Sequence, residues 1–115
     1  MSSDCVFCKI VTGDIPADLV AQSDAAVAFH DLAPQAPVHV LVIPREHVSS
    51  ADHLTTQNAA LVGELVLLAQ EVAEREGVRE SGYRLVFNVG RDAQMSVPHV
   101  HLHVLGGRAL DWPPG

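Results

Sequence analysis

Three alternating histidines, in the segment His99-Val100-His101-Leu102-His103-Val104, carry the clearest chemical signal in the chain. Side chains on a β-strand alternate between its two faces, so a strand here would place all three imidazoles on one face. Each ring then needs hydrogen-bond partners, because a buried polar group without them destabilises the fold. The pattern therefore favours a functional site over ordinary core packing.

Two kinds of chemistry fit three neighbouring imidazoles. They could bind a catalytic zinc ion that lowers the pKa of a bound water. Alternatively, one imidazole could be a covalent nucleophile that attacks phosphorus while its neighbours bind the phosphate. Neutral imidazole is nucleophilic near neutral pH, whereas a serine hydroxyl needs a base to activate it. The histidines alone leave both possibilities open.

Cys5 and Cys8 form a second group, a Cys-x-x-Cys pair close to the start of the chain. They supply half of a tetrahedral zinc site, and His47 and His99 are the natural candidates for the other two ligands. That assignment leaves the other two of the three alternating histidines for chemistry. Free thiols and a redox pair are the alternatives, although a redox motif needs a preceding strand and none is predicted there.

The elements that position these residues form a sheet in this interpretation. The runs Leu19-Val20-Ala21 and Ala26-Val27-Ala28-Phe29 flank the turn residues Gln22-Ser23-Asp24 and predict a hairpin. The stretch from Val38 to Ile43 is apolar on both faces, which predicts a central strand that Pro44 ends. An antiparallel α+β sheet therefore fits better than a repeat of strand-helix-strand units.

One long helix and two further strands complete the predicted elements. Apolar residues at helical spacing predict the helix from Thr56 to Glu76, with Thr55 or Thr56 as N-cap and Gly77 as the stop. The two strands are predicted over 83–89 and 97–105, joined by the turn Gly90-Arg91-Asp92. A proline at position 98 suggests an edge or a bulge there, because it cannot donate to a strand ladder.

Composition narrows the possible partners. The 115 residues are 48% hydrophobic and 18% charged, which predicts a single folded domain over 1–115. The formal net charge of −7 argues against nucleic acid and anionic membranes as partners, because both need a basic surface. The start, Met1-Ser2-Ser3-Asp4, lacks the features of an export signal, and no apolar run approaches a membrane span. We therefore expect a cytoplasmic protein.

Several motifs together give the chain a family resemblance. Besides the three histidines they are Phe7-Cys8-Lys9-Ile10, Gly13-Asp14-Ile15-Pro16-Ala17, Ala28-Phe29-His30-Asp31, the run from Gln35 to Pro44, Leu105-Gly106-Gly107-Arg108 and Trp112-Pro113-Pro114-Gly115. With these segments the chain resembles the histidine triad (HIT) family, specifically the zinc-binding bacterial members of its Hint branch of nucleoside phosphoramidases. The resemblance implies an antiparallel sheet of about five strands with one long and one short helix, continuous across a homodimer.

The activity that the resemblance implies is hydrolysis of purine nucleoside 5′-phosphoramidates, of the adenylate-amine or adenylyl-lysine type. The middle histidine, His101, attacks the α-phosphorus and releases the amine, and water then hydrolyses the nucleotidyl-histidine to the nucleoside monophosphate. The enzymatic alternative is a dinucleoside polyphosphate hydrolase with the same triad. A nucleotide-binding or zinc-binding module without catalysis is the alternative from another class.

Residue by residue, the resemblance assigns the phosphate contacts to Asn88, Ser96 and His103, with Ser96 also delivering a proton to the leaving amine. His39 supports the triad, and Asp31 accepts hydrogen bonds from the ribose hydroxyls. The base slot is formed by Val6, Phe7, Ile10, Ile15 and Phe29. One structural Zn²⁺ per chain has the ligands Cys5, Cys8, His47 and His99, and no organic cofactor is expected.

Plain alternatives and one departure accompany these assignments. Asp31 could merely cap a turn before Pro34, Asn88 could be a turn residue, and the apolar slot could be ordinary core. We expect the two remaining histidines, at positions 30 and 53, to be surface or structural residues. Where family members carry Gly-Gln-Ser before the triad, this chain has Gln94-Met95-Ser96. A thioether cannot donate a hydrogen bond, so the preference for the leaving group stays open.

Overall fold

Five antiparallel strands and two helices make up residues 4–115, the part of the chain that a computed structural model describes. In chain order they are α1 (Val6–Thr12), β1 (Leu19–Gln22), β2 (Ala26–His30), β3 (Val38–Pro44), α2 (Ala60–Arg75), β4 (Tyr83–Phe87) and β5 (Leu102–Gly106), with a short 3-10 helix at Ala51–His53. The predicted α+β class, with one long and one short helix, is confirmed. The first three residues of the predicted domain lie outside the described residues.

The strands follow the order β1-β2-β3-β5-β4, so β3 lies in the middle of the sheet as predicted. The predicted hairpin is β1 and β2, and the Ser23 N–H closes its turn on the Ala26 carbonyl. Between β3 and β5, Leu41 pairs with His103 and His39 pairs with Leu105. This register brings two of the predicted site histidines onto neighbouring strands of one sheet face.

The two faces of the sheet have different roles. One face packs against α2 through small and branched side chains. The buried residues of this layer include Ala28, Val40, Val42, Leu102 and Val104 on the sheet and Leu65, Leu68, Ala69 and Val72 on α2. The opposite face packs against α1 around Phe7, Phe29, Leu41 and Ile43. Alternation along the strands therefore gives α2 the structural core and leaves the α1 face to the candidate site. No helix among residues 4–115 is long and apolar enough to cross a membrane.

The long helix begins at Ala60, four residues after the predicted start at Thr56. Thr55 and Asn58 stabilise a separate turn instead: the Asn58 Oδ1 accepts the Thr55 N–H at 2.7 Å, and the Thr55 Oγ1 accepts the Gln57 N–H at 3.2 Å. Thr55 therefore caps this turn, and the prediction that it or Thr56 is the helix N-cap is wrong. The predicted stop at Gly77 is confirmed by its left-handed φ of 74°, which favours glycine.

The predicted strand over 97–105 is wrong in its first half, because β5 begins only at Leu102. Before that residue the backbone bonds elsewhere: the His99 N–H donates to the Val97 carbonyl at 2.8 Å and the Val100 N–H donates to the Val48 carbonyl at 2.7 Å. Pro98 lies in this irregular segment, where its missing N–H interrupts no ladder. β4 also ends at Phe87, so the β4–β5 connection spans 88–101 rather than a short turn at position 90.

Candidate functional site

A backbone hydrogen bond holds the His101 ring and fixes its tautomer. Its Nδ1 lies 2.8 Å from the carbonyl oxygen of His99, and the side chain is nearly buried. Because a carbonyl oxygen only accepts hydrogen bonds, Nδ1 carries the proton, and in the neutral ring Nε2 keeps its lone pair. The ring packs edge-on against Phe7 with centroids 5.2 Å apart, which restricts its rotation. The neutral His101 ring therefore presents its Nε2 lone pair in a fixed orientation.

A chain of hydrogen bonds orders two further histidines of the site, His39 and His103. The backbone N–H of Gln35 donates to Nδ1 of His39 at 3.0 Å, so the proton of neutral His39 is on Nε2. That Nε2 lies 2.9 Å from Nδ1 of His103 and donates to it. The proton of neutral His103 is therefore on Nε2, which lies 3.5 Å from the amide nitrogen of Asn88. The chain ends in an N–H donor at the site.

Burial favours the neutral form of both hydrogen-bonded rings, His39 and His103. It lowers the pKa of His39, and the nearby Asp31 carboxylate opposes that effect only in part. Burial is also the main reason why the pKa of His103 falls to about 4, with smaller contributions from positive charge on His101 and His39. The lowered pKa values favour the neutral tautomers of His39 and His103 described above.

A cavity of about 280 Å³ opens beside these histidines on the α1 face of the sheet. All five predicted base-slot residues line it, together with four of the predicted polar ones: Val6, Phe7, Ile10, Ile15, Phe29, Asp31, Ser96, His101 and His103. Phe7 and Phe29 also belong to a buried core cluster and meet edge-on at 5.7 Å. These two residues therefore belong to both the slot and the core. His39 and Asn88 do not line the cavity but contact His103.

The Asp31 carboxylate has both a structural contact and access to the cavity. Its Oδ1 accepts the N–H of Ala33 at 2.8 Å, so the residue does cap the turn that precedes Pro34. The second oxygen, Oδ2, lies 3.5 Å from Nε2 of His39 at the edge of the cavity. One oxygen therefore fixes the loop, and the other has no backbone contact of this kind within residues 4–115.

The predicted metal ligands Cys5, Cys8, His47 and His99 converge, with all four donor atoms within 4.8 Å of one another. Nδ1 of His99 lies 3.4 Å from the Cys5 Sγ, 3.5 Å from the Cys8 Sγ and 3.1 Å from Nδ1 of His47. A tetrahedral Zn²⁺ with ordinary bond lengths places sulfur and nitrogen ligands about 3.5 Å apart and two nitrogens about 3.3 Å apart. The donor set and its spacing therefore fit zinc.

Local structure positions these ligands. Cys5 is the N-cap of α1 and its Sγ accepts the Cys8 N–H, so the first turn of the helix places the two sulfurs side by side. His99 is fully buried, and its Nε2 donates to the Pro44 carbonyl at 2.9 Å. That contact leaves Nδ1 as the free ligand atom, an arrangement typical of zinc-binding histidines.

Several cavity-lining residues were not predicted as site residues: Pro16, Ala17, Asp18, His30, Leu32, Leu41 and Val97. Leu41 follows His39 by two positions on β3, so strand alternation could have identified it. His30, expected to be a surface or structural residue, bridges the carboxylates of Asp18 at 2.9 Å and Glu76 at 3.0 Å. These carboxylates raise the pKa of His30, the Glu76 hydrogen bond most strongly. No local spacing in the sequence pairs these three residues.

The segment before the triad does not replace the missing glutamine. Gln94 is exposed, adopts a left-handed φ of 58° and does not line the cavity. Met95 is half-buried, and its N–H donates to the Gly90 carbonyl at 3.1 Å. Ser96 is therefore the member of this segment that reaches the cavity.

Similarity to known proteins identifies the family of this chain. The family model for the HIT domain matches residues 12–110, which is most of the chain. The chain belongs to the HIT family. An uncharacterised HIT-like protein of Synechococcus elongatus is 48% identical to this HIT protein over 115 residues, which cover 100% of both chains.

Solved structures agree with this assignment. A HIT family hydrolase from Legionella pneumophila superimposes with a TM-score of 0.93 at 44% identity, covering 96% of this chain and 99% of that one. A histidine triad protein from Clostridium difficile also reaches a TM-score of 0.93, at 35% identity over 96% of each chain. The predicted family and fold are thus confirmed, and the relatives support a hydrolase of the HIT type.

Proposed function

We propose that this HIT protein hydrolyses purine nucleoside 5′-phosphoramidates through a covalent intermediate on His101, as members of the Hint branch do. The observation that carries the proposal is the hydrogen bond from Nδ1 of His101 to the His99 carbonyl. It leaves the Nε2 lone pair available beside a cavity lined by apolar residues and by Asp31. An apolar slot, a carboxylate and a nucleophilic imidazole suit a base, a ribose and a phosphorus in that order.

The proposed reaction has two displacements at phosphorus. Nε2 of His101 bonds to the α-phosphorus while the P–N bond to the amine breaks, and its electron pair leaves with the amine nitrogen. That nitrogen takes a proton from the Ser96 hydroxyl. The His99 carbonyl stabilises the positive charge that the His101 ring gains, because it accepts the retained Nδ1 proton. Water then attacks phosphorus, the electron pair returns to Nε2, and the proton from water restores the Ser96 hydroxyl.

Donors around the phosphate stabilise both transition states in this proposal. Nε2 of His103 and the amide nitrogen of Asn88 lie 3.5 Å apart, so one phosphate oxygen can accept a hydrogen bond from each. His39 acts through His103, because its own hydrogen bond selects the tautomer that donates. These local donors attract a phosphate despite the net charge of −7.

We further propose that Cys5, Cys8, His47 and His99 bind one structural Zn²⁺ per chain. Bound there, the ion would join α1 to the segments after β3 and before β5, and four protein ligands would leave no open position for catalysis. It would also hold the His99 backbone, whose carbonyl orients His101. The proposed reaction uses side chains and water and needs no organic cofactor.

A homodimer is part of the same proposal. β4 is an edge strand of the sheet, Leu67 on α2 is 59% exposed, and Trp112 in the C-terminal tail is 80% exposed. An edge strand and apolar surface residues are typical of an interface that extends a sheet into a second copy. A single domain over 1–115, a cytoplasmic location and the absence of nucleic-acid and membrane partners stay predictions from the sequence.

The test is a comparison of two substrates with the purified protein. We expect kcat/KM for an adenosine phosphoramidate to exceed that for a diadenosine polyphosphate at least about tenfold. The reverse order would assign the protein to the dinucleoside polyphosphate hydrolases. Binding of adenosine monophosphate without turnover of either substrate would instead identify a non-catalytic module. A wild-type rate equal to that of His101→Ala would overturn the proposed nucleophile.

A further inference from the structure

Hydrogen bonds connect Gln35, in the loop between β2 and β3, to the candidate site and to the C-terminal segment. Its backbone N–H donates to Nδ1 of His39 at 3.0 Å, and its side-chain amide donates to the Ala33 carbonyl at 2.9 Å. Its own carbonyl oxygen accepts a hydrogen bond from Nη2 of Arg108 at 3.0 Å. Because Gln35 is exposed, these contacts rather than burial hold the N–H that selects the His39 tautomer.

Arg108 reaches Gln35 from the turn that follows β5. That strand ends at Gly106, beside the start of β3. Gly107 has a left-handed φ of 89°, and a Cβ there would lie 2.9 Å from the Cβ of Pro37. The turn therefore packs directly against the β2–β3 loop, and its next residue is within reach of the Gln35 carbonyl.

The Arg108 guanidinium links two segments of backbone. Besides the bond to Gln35, its Nη1 donates to the Ala109 carbonyl at 3.0 Å. A guanidinium is planar and carries a permanent charge, so the two bonds are charge-assisted and their directions are fixed relative to each other. The arginine is therefore suited to hold the loop in one position.

We propose that Arg108 is a positioning residue for the proposed reaction. It holds Gln35, whose N–H selects the tautomer of His39, and His39 in turn leaves the Nε2 proton of His103 free to donate to the phosphate. The inference rests on the proposed phosphoramidase function. Arg108 does not line the cavity, so its effect passes through these hydrogen bonds.

Asp31 lies in the same loop and distinguishes positioning from a general loosening of the loop. Its N–H donates to the His39 carbonyl at 2.9 Å, and its Oδ1 accepts the Ala33 N–H. Neither contact involves Arg108. Loss of the arginine should therefore disturb the His39 tautomer more than the Asp31 carboxylate, and so affect kcat more than KM.

Kinetics of Arg108→Met give the first test, because methionine keeps much of the aliphatic side chain and removes the donors. With an adenosine phosphoramidate we expect kcat to fall about three- to tenfold, the range of one hydrogen bond, and KM to change less than about twofold. Arg108→Lys keeps one cationic donor and should lie between wild type and Arg108→Met. Arg79→Met removes the same charge from an arginine that pairs with Glu74, and it should keep the wild-type values.

A double-mutant cycle with His39→Gln tests the route of the effect. If Arg108 acts through His39, Arg108→Met should lower kcat less than about twofold in the His39→Gln protein. A decrease as large as that in wild type would overturn the proposed route, because Arg108 would then act by its charge or by loop packing.

The nitrogen chemical shifts of the imidazole rings report the tautomers directly and need no substrate. In wild type we expect a pyridine-type Nδ1 and a pyrrole-type Nε2 for both His39 and His103. In Arg108→Met the His39 shifts should move toward those of a mixture of tautomers. Arg79→Met should keep the wild-type shifts.

The outcomes separate this inference from the proposed function. Unchanged His39 shifts and unchanged kcat in Arg108→Met would overturn the positioning role and keep the phosphoramidase function. A higher KM without a lower kcat would also overturn it, because that result indicates loss of the Asp31 contact instead. Wild-type protein that turns over no adenosine phosphoramidate would overturn the proposed function, and the nitrogen shifts alone would then decide whether Arg108 selects the tautomer.

Discussion

His99 and His101 are joined by a hydrogen bond of 2.8 Å from Nδ1 of His101 to the carbonyl oxygen of His99. The side chain of the same His99 points its own Nδ1 at the Cys5, Cys8 and His47 donor atoms. One residue thus contributes its ring to the candidate metal centre and its backbone to the candidate nucleophile. The geometry of the metal centre and the orientation of His101 are therefore coupled through His99.

Metal content gives the first prediction. Purified protein never exposed to chelator should contain about one zinc per chain, and chelation should lower Tm by at least about 10 °C, because such sites contribute strongly to folding. Cys8→Ser should start from the lower Tm and show no further decrease with chelator. The prediction fails if elemental analysis finds far less than one equivalent of zinc, or if chelator destabilises both proteins equally.

Asp31 gives the second prediction, because its two oxygens have different contacts. Asp31→Asn keeps an oxygen that can accept the Ala33 N–H, so Tm should stay within about 2 °C of wild type. The weaker acceptor should raise KM about five- to tenfold. A dideoxyribose analogue of the substrate should show a similarly high KM with wild type and no further increase with the variant. Additive effects of the two changes would contradict the ribose contact and leave only the turn cap.

Acid stability gives the third prediction. The pKa of His103 is lowered from 6.5 to about 4, so between these values the unfolded chain binds a proton that the folded protein does not. Stability is therefore complete above about pH 6.5 and falls as the pH drops toward about 4, by at most about 3 kcal/mol from this residue. His103→Gln should flatten this decrease in urea unfolding. Loss of metal in acid affects both proteins and cancels in the difference, so parallel curves would contradict the prediction.

His30 gives the fourth prediction, with the opposite sign. Its pKa is raised by Glu76 and Asp18, so its contribution to stability is present below pH 6.5 and is lost as the pH rises through the raised value. Because the ring is 38% exposed, solvent screening limits the effect to less than about 1 kcal/mol. The free energy of unfolding of wild type minus that of His30→Gln should decrease from about pH 6 to about pH 9. A difference that increases over this range would contradict the assignment.

The parts of the fold that were predicted from sequence are those with a strong local pattern. Continuous apolar β-branched residues identified β3, and turn residues between two short runs identified the β1–β2 hairpin. The predicted starts of α2 and β5 are wrong, because side-chain or backbone hydrogen bonds in those segments compete with the helix and the strand. Thr55 bonds within its own turn, and the residues near Pro98 bond to the preceding loop. Such competing contacts carry no periodic signal.

The candidate site was likewise predicted only where the sequence has a local pattern or motif. Alternation of the three histidines with apolar residues predicted three rings on one face of a strand, but of the three only His103 lies on β5. Motif context predicted nine of the residues that line the cavity. The tautomers are fixed by backbone groups, the N–H of Gln35 as a donor and the carbonyls of Pro44 and His99 as acceptors, and almost any residue type offers such groups. The His30 contacts with Asp18 and Glu76 depend on the meeting of distant segments. Only the tertiary structure could provide these relationships.

The most direct test of the account is to identify the covalent intermediate. Wild-type protein mixed with an adenosine phosphoramidate and quenched in acid-free denaturant during turnover should yield a peptide carrying one adenylyl group on His101, identified by fragmentation mass spectrometry. His53→Ala, which changes an exposed histidine outside the cavity, should give the same adduct, and His101→Ala should give none. An adduct on another residue, or turnover by His101→Ala at the wild-type rate, would contradict the central claim.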